Sequence, residues 1–251
     1  MATISVESVS KAFQIPSVRR DTIREHLLAA HRPRRFERLQ VLDSVSFDVE
    51  PGQTLAIMGR NGCGKSTLLK IICGIYQPDK GRVRRNAAIT PILELGVGWN
   101  PELDANDNVF LIGSVMGLTL GEIRRSMDEI LAFAEVERFA NLKLKHYSSG
   151  MSSRLAYAIG FRAVREVLVL DEIFAVGDAG FRARCEQRYR ELHSRGHTVI
   201  LVSHAEPIVR EFCTRAILID QGRIQFDGPA EQTSERYHHL LTSDEQNVQE
   251  G

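Results

Sequence analysis

The sequence predicts an α/β fold built on a buried parallel sheet, on three observations. Gly59–Ser66 forms a glycine-rich loop between a short apolar run, Thr54–Met58, and a helical pattern. Val167–Leu170 is an unbroken apolar run that ends in Asp171-Glu172, and Thr198–Val202 is another that ends in Ser203-His204. Unbroken apolar runs of this length suit strands covered on both faces, as parallel strands are between layers of helix.

The glycine-rich loop reads Gly59-Arg60-Asn61-Gly62-Cys63-Gly64-Lys65-Ser66, which matches G-x-x-x-x-G-K-[ST] at each fixed position. Ser66–Cys73 continues as a helix, and Gly74 supplies its C-terminal stop. Glycines at such spacing let successive backbone N–H groups converge on phosphate oxygens at the positive end of a helix. The candidate phosphate-binding set is Gly59, Asn61, Gly62, Cys63, Gly64, Lys65, Ser66 and Thr67. Within it Lys65 meets the β- and γ-phosphates and Ser66 ligates Mg2+, so the bound species is a nucleoside triphosphate.

A phosphate loop needs an acid at the end of a neighbouring buried strand to hold that metal. Asp171 stands at the C-terminal end of its run, where ligands bind in parallel sheets. Glu172 follows as the candidate general base for an attacking water. Two adjacent carboxylates with different tasks point to hydrolysis rather than storage. His204, after the next strand, is placed to hydrogen-bond the γ-phosphate.

Length and composition agree. The 251 residues suffice for one substantial domain or one with a small subdomain. Hydrophobic residues at 43% and charged residues at 25% exclude a disordered chain, a collagen-like repeat and a coiled-coil rod. The 32 basic and 32 acidic residues balance, which leaves no general footprint for nucleic acid. The longest uncharged stretch, Asn108–Gly121, falls short of the ~20 apolar residues that span a bilayer. The N-terminus has no basic region followed by an apolar core, so no secretion signal is expected. Cys63, Cys73, Cys185 and Cys213 lack metal-type or redox spacing and read as buried free thiols in a reduced, cytosolic chain.

With these three elements in order, Tyr147-Ser148-Ser149-Gly150-Met151 takes on meaning. It lies about twenty residues before Asp171 and opens a helical pattern, Ser152–Val164. Residues 3 to about 241 together resemble the ATP-binding subunit of ATP-binding-cassette (ABC) transporters. The resemblance implies a P-loop NTPase core of ABC-ATPase type, with an antiparallel β subdomain and a helical subdomain. It also implies that Ser148 and Gly150 of one copy close over ATP held by the phosphate loop of another. Ser149 stands where that family has a glycine and Met151 where it has a glutamine. By the same comparison Phe13 stacks on adenine, Asp178 in Ala175-Val176-Gly177-Asp178 links the two copies, and His204 is the switch histidine. Glu94 occupies the place of a glutamine that touches Mg2+ and the transmembrane partner.

Leu93-Glu94-Leu95-Gly96, Asn100-Pro101-Glu102-Leu103 and the two segments around Ser148 and Asp178 resemble the branch exporting O-antigen, capsule and teichoic acid. That resemblance implies a lipid-linked polysaccharide as cargo, a separate transmembrane permease subunit, and a peripheral position on the cytoplasmic face of the inner membrane. A basic insertion follows Phe13: seven arginines lie between Pro16 and Arg38 against Asp21, Glu25 and Glu37. Thr22-Ile23-Arg24-Glu25 is a capping-box pattern, and Ile23, Leu27 and Leu28 form an apolar stripe before Pro33. Such a helix can rest on an anionic membrane surface. The strand after it is expected from near Gln40.

The expected organisation is one module: a core of residues 1–93 and 166–241, and a helical subdomain over about 104–165. The helical reading rests on Gly121–Lys143, where Ile123, Met127, Ile130, Leu131, Ala134 and Phe139 fall near one face. Ala216–Phe226 reads as a tight hairpin. A helix from about Pro229 to Leu241 and a disordered polar tail at 242–251 complete the chain. That tail is too short for the carbohydrate-binding domain some O-antigen exporters carry, so selection of a modified chain end is not expected. One phosphate loop and one signature per chain imply a homodimer sandwiching two ATP molecules. A soluble ABC-type ATPase in DNA maintenance or translation is the alternative, but neither the long coiled-coil insertion nor the tandem cassette of those relatives is present.

Overall fold

The computed structural model describes residues 1–16, 36–93, 98–171 and 178–249. Two sheets carry the fold. Strands β1 (Ile4–Pro16), β2 (Phe36–Val49) and β4 (Lys80–Arg85) form an antiparallel sheet in the order β2-β1-β4. Strands β3 (Thr54–Met58), β5 (Ile89–Ile92), β6 (Val167–Asp171), β7 (Thr198–Val202), β8 (Arg215–Asp220) and β9 (Arg223–Pro229) form the second, in the order β5-β6-β7-β3-β8-β9. All neighbours in it are parallel except the edge hairpin β8–β9. That hairpin turns at Gln221-Gly222, both with positive φ (47° and 74°), as a two-residue turn between twisted strands requires.

The two faces of the larger sheet build two cores, and the strands alternate between them with period two. Val167 and Val169 join Ile57, Ile200 and Ile217 against helix α1 (Lys65–Ile72) and the antiparallel sheet. Leu168 and Leu170 join Met58, Leu201 and Leu218 on the other side. There they meet α5 (Ala179–Ser194), α6 (Glu206–Phe212) and α7 (Ala230–Gln249) through Phe181, Tyr189, Phe212 and Tyr237. Between β5 and β6 the chain departs into α2 (Ala105–Val115), α3 (Leu120–Ala134) and α4 (Ser149–Arg162), which share a third apolar cluster around Val109, Ile123, Ile130 and Leu155. Gly160 lets α4 lie against β5, since a Cβ there would sit 2.5 Å from Ile92 Cδ1.

Several boundaries differ from the sequence expectation. The helix expected to reach Lys143 ends at Ala134, where Glu135 takes a left-handed conformation (φ 57°) and the chain turns into a short 3-10 segment, Glu137–Phe139. Phe139 is exposed rather than on the buried face. The C-terminal helix, expected to stop at Leu241 before a disordered tail, runs to Gln249, because the added residues are polar but include good helix formers. Strand β2 starts at Phe36, not near Gln40, and pairs Phe36 with Pro16. Phe36 and Leu39 are exposed, so no alternation marks that stretch as a strand. The basic insertion with its capping box and apolar stripe lies, over residues 17–35, outside the described residues. Among the described residues no helix is long and apolar enough to cross a membrane.

Candidate functional site

Strand β3 is fully buried and points its C-terminal end at the loop Gly59–Gly64. Sheet order decides what surrounds that loop: β7 and β8 flank β3, and β6 lies beyond β7. The register sets Ile57 beside Val202 and Val202 beside Asp171, so the ends of three parallel strands open on one place. Asp171, Ser203-His204 and the loop meet there because strand pairing, not sequence distance, sets their height.

The loop has the backbone a phosphate cradle needs. Gly59, Gly62 and Gly64 have φ of 150°, 79° and 109°. A Cβ on Gly59 would come within 2.1 Å of the Ile219 carbonyl oxygen. Gly64 is the N-cap of α1 and offers no side-chain hydrogen bond to the helix end, and the first turn holds no acid. Helices α2, α3, α4 and α5 are capped by Asp104, Thr119, Ser148 and Asp178. The start of α1 thus carries no side-chain cap and no acid, which suits it to an anion.

Lys65 is 6% exposed and bends back over the loop, its Nζ donating to the carbonyls of Gly59 (2.7 Å) and Arg60 (2.8 Å). Ser66 Oγ donates to Asp171 Oδ2 at 3.3 Å. A hydroxyl beside a carboxylate at the mouth of an anion cradle is a donor set suited to a hard divalent cation. Val41, Asn61, Gly62, Gly64, Lys65, Ser66, Thr67, Asp171 and His204 line a cavity of about 190 Å³. Small-molecule sites usually run to ~300–1,000 Å³, so this cavity is small for a whole nucleotide and of a size for its phosphate groups.

Phe13 does not line that cavity. It sits on β1 opposite Leu39, two residues along β2 from Val41 of the cavity wall, with its ring edge-on to Tyr76 at 5.8 Å. Cys63 is buried within the loop, and its thiol is pushed up by burial. A larger cavity, about 730 Å³, opens at the opposite, N-terminal end of the parallel strands beside Thr3, Gly52, Glu166 and Thr198. Parallel sheets bind ligands at their C-terminal ends, so the smaller cavity is the candidate site.

Ser148 and Gly150 also lie away from the cavity. Ser148 caps α4 by accepting from the Met151 N–H at 3.2 Å. Asp178 caps α5 by accepting from the Phe181 N–H at 2.9 Å, a bond that holds its carboxyl below the ordinary range, with Arg154 adding to the effect. Arg154, on the helix that Ser148 opens, donates to Asp178 Oδ2 at 2.7 Å and also pairs with Glu135. Glu135 in turn binds Arg184 at 2.6 Å, and both guanidinium groups lie over the buried Phe181 ring. The start of α4 is therefore tied to the start of α5, a link no local motif announced. Tyr76, Val41 and Tyr237, whose Oη lies 3.0 Å from His204 Nδ1, were likewise without sequence signal. Glu94, Glu172 and Ala175–Gly177 lie outside the described residues.

A family profile described as ABC transporter matches residues 42–175, more than half of the chain. The chain belongs to the ABC transporter family. Among curated relatives of this ABC chain, "ABC transporter protein AbcA" of Aeromonas salmonicida is 41% identical over 80% of the chain, which spans 66% of AbcA. "O-antigen export system ATP-binding protein RfbB" of Klebsiella pneumoniae is 36% identical over 85% of the chain and 89% of the relative. "Teichoic acids export ATP-binding protein TagH" of Listeria monocytogenes is 33% identical over 95% of the chain and 70% of the relative. A solved dimeric ATP-binding cassette bound to ADP and Pi superposes with a TM-score of 0.73, at 24% identity, over 90% of this chain and 98% of that one. The ABC fold of two sheets with an inserted helical region is thus shared with a solved cassette.

Proposed function

We propose that this chain is the ATP-hydrolysing subunit that powers export of a lipid-linked polysaccharide across the cytoplasmic membrane, working with a separate transmembrane subunit. The observation that carries the ATPase reading is the meeting of Ser66, Asp171 and His204 at the mouth of the phosphate loop. Kinship with proteins named for O-antigen and teichoic acid export supports the cargo class.

In this reading the Gly59–Gly64 amides and the first turn of α1 receive the phosphates. Lys65 exchanges its two carbonyl contacts for the β- and γ-phosphate oxygens, and Phe13 stacks on adenine. Ser66 and Asp171, with Glu94, would hold a Mg2+ ion, which when bound offsets phosphate charge. Glu172 accepts a proton from water as its oxygen bonds to the γ-phosphorus and the bond to the bridging oxygen breaks, leaving ADP and phosphate. His204 donates to the γ-phosphate and orients it.

A second copy completes the site. Ser148 and Gly150 of one copy close on ATP held by the other, because a capped helix start still offers N–H groups to an anion. That these two residues lie away from the chain's own cavity supports a role in trans. Asp178, tied to Arg154 on the helix that Ser148 opens, then lies where the state of one site reaches the other. The module reads as a core of 1–93 and 166–241 with a helical subdomain at about 104–165. The surface around Glu94–Asn100 passes the motion to the membrane subunit. The basic segment within 16–38 rests at the membrane's cytoplasmic face.

Glu172→Gln tests the chemistry. It should give an ATP-dependent dimer by light scattering with turnover lowered at least 100-fold, whereas near wild-type hydrolysis removes Glu172 from the base role. A gentle-detergent pull-down tests the partner. Recovery of one multi-span membrane protein in equal amount supports export, and recovery of ribosomes or DNA-processing proteins instead sinks it.

A further inference from the structure

We infer that Tyr237 is a positioning residue for hydrolysis: its hydroxyl donates to His204 Nδ1 and so keeps the imidazole's other nitrogen, Nε2, protonated and aimed at the phosphate cavity. The inference rests on the reading of His204 as a γ-phosphate ligand. His204 lines the cavity, and its Nδ1 lies 3.0 Å from Tyr237 Oη, with the two rings tilted by 38°. A neutral imidazole carries one N–H. If Nδ1 accepts from a phenol, the proton must reside on Nε2, and only then can the neutral ring donate to a phosphate oxygen.

The rest of α7 explains how the hydroxyl comes to be fixed. Thr233, fully buried, has its hydroxyl between two carbonyl oxygens, that of Pro229 at 3.0 Å and that of Ala216 on β8 at 3.1 Å. Ser234, also fully buried, lies 3.9 Å from Met58 Sδ, on the residue just before the phosphate loop. Tyr237 follows three and four positions later, one helical turn along the same face, and is only 4% exposed. The helix is therefore pinned to β8 and to the end of β3, and its tyrosine is held at the histidine by packing as well as by the hydrogen bond. A buried phenol ring cannot swing away from its neighbours, which makes the contact a constraint on the imidazole.

The test uses the full-length protein and two measurements. Nitrogen-15 spectra of ring-labelled wild-type protein, above the histidine titration range, should show His204 protonated at Nε2 and bare at Nδ1. A neutral ring protonated at Nδ1 overturns the inference without any variant. Tyr237→Phe keeps the ring and its packing. It should lower kcat for ATP roughly five- to tenfold, the scale of one lost hydrogen bond, with KM and the melting temperature near wild type. The double variant with His204→Ala should lose no more than His204→Ala alone, because the tyrosine acts through the histidine. Tyr237→Phe at wild-type kcat, beside an inactive His204→Ala, overturns the positioning role alone. Wild-type turnover in His204→Ala overturns the underlying role of the histidine.

Discussion

Replacing Gly59 by alanine perturbs the loop where it touches the sheet, and the structure sets the size of the effect. The added Cβ would lie 2.1 Å from the Ile219 carbonyl oxygen and 2.7 Å from Cys63 Sγ. Ordinary carbon contacts are near 3.5 Å, so the overlap exceeds 1 Å. Ile219 is fully buried on β8, between β3 and β9, and a strand carbonyl cannot swing aside as a side chain can. Overpacking of this kind costs about 1–3 kcal/mol, and a positive φ on an L-residue adds about 1–2 kcal/mol. At 2–4 °C per kcal/mol for a chain of this size, the melting temperature should fall by roughly 10 °C. Gly62→Ala is the control within the same loop. Its φ is 79°, but beyond its chain neighbours its Cβ meets no atom of the described residues within 4 Å, so only the conformational term applies and the fall should be about 4 °C. Because Gly62 lines the cavity, that methyl should instead weaken ATP binding. Thermal unfolding without nucleotide and ATP titration of both variants separate the two effects. Equal melting temperatures for the variants, or a wild-type value for Gly59→Ala, would refute the packing of the loop against β8.

Asp171→Asn should bind ATP but lose the gain in affinity that Mg2+ confers on the wild type, measured by nucleotide titration with and without the metal; an unchanged metal dependence removes Asp171 from the metal site. Burial pushes the thiols of Cys73, Cys185 and Cys213 up to about 12 and that of Cys63 upward. At pH 8 a thiol reagent should therefore react slowly with native protein and rapidly with all four cysteines in denaturant, and fast native labelling contradicts this. Arg184 beside Glu135, and the Phe181 N–H with Arg154 beside Asp178, hold these carboxyls below their ordinary values of 4.5 and 3.8. A depressed pKa contributes stability above the ordinary value and loses it as pH falls through the folded one, so melting temperature should decline on acidification below about pH 4.5. Salt should shrink that contribution because the pairs are partly exposed, and a melting temperature that rises on acidification would contradict the sign.

Distance along the chain separates what the sequence shows from what only the fold shows. The phosphate loop, the strands around it and the Ser148 helix start could be read directly because each is a local pattern. Glycines where φ is positive, unbroken apolar runs for strands covered on both faces, and a serine at a helix start are set by neighbours a few residues away. Local reading erred where tertiary contacts overrule propensity. Glu135 breaks a helix whose apolar spacing continues beyond it, since it turns left-handed and pairs with Arg154 and Arg184. Phe36 and Leu39 form a strand with no alternation because pairing with β1 holds them there.

The amino-acid pattern by itself therefore marked the groups: a glycine-rich loop before a helix, an acid at a strand end, a histidine at the next, and a serine near a helix start. Tertiary structure alone decided how these groups stand to one another. It set Asp171 beside Ser66 through the β6-β7-β3 order, kept Ser148 off its own chain's cavity, and bound Asp178 to Arg154. It also brought Tyr237 to His204 across thirty-three residues. Residue types and spacings encode what a group can do, whereas strand order and helix packing fix which groups meet, because side chains far apart in sequence come together only through the burial that folds the sheet between its helices.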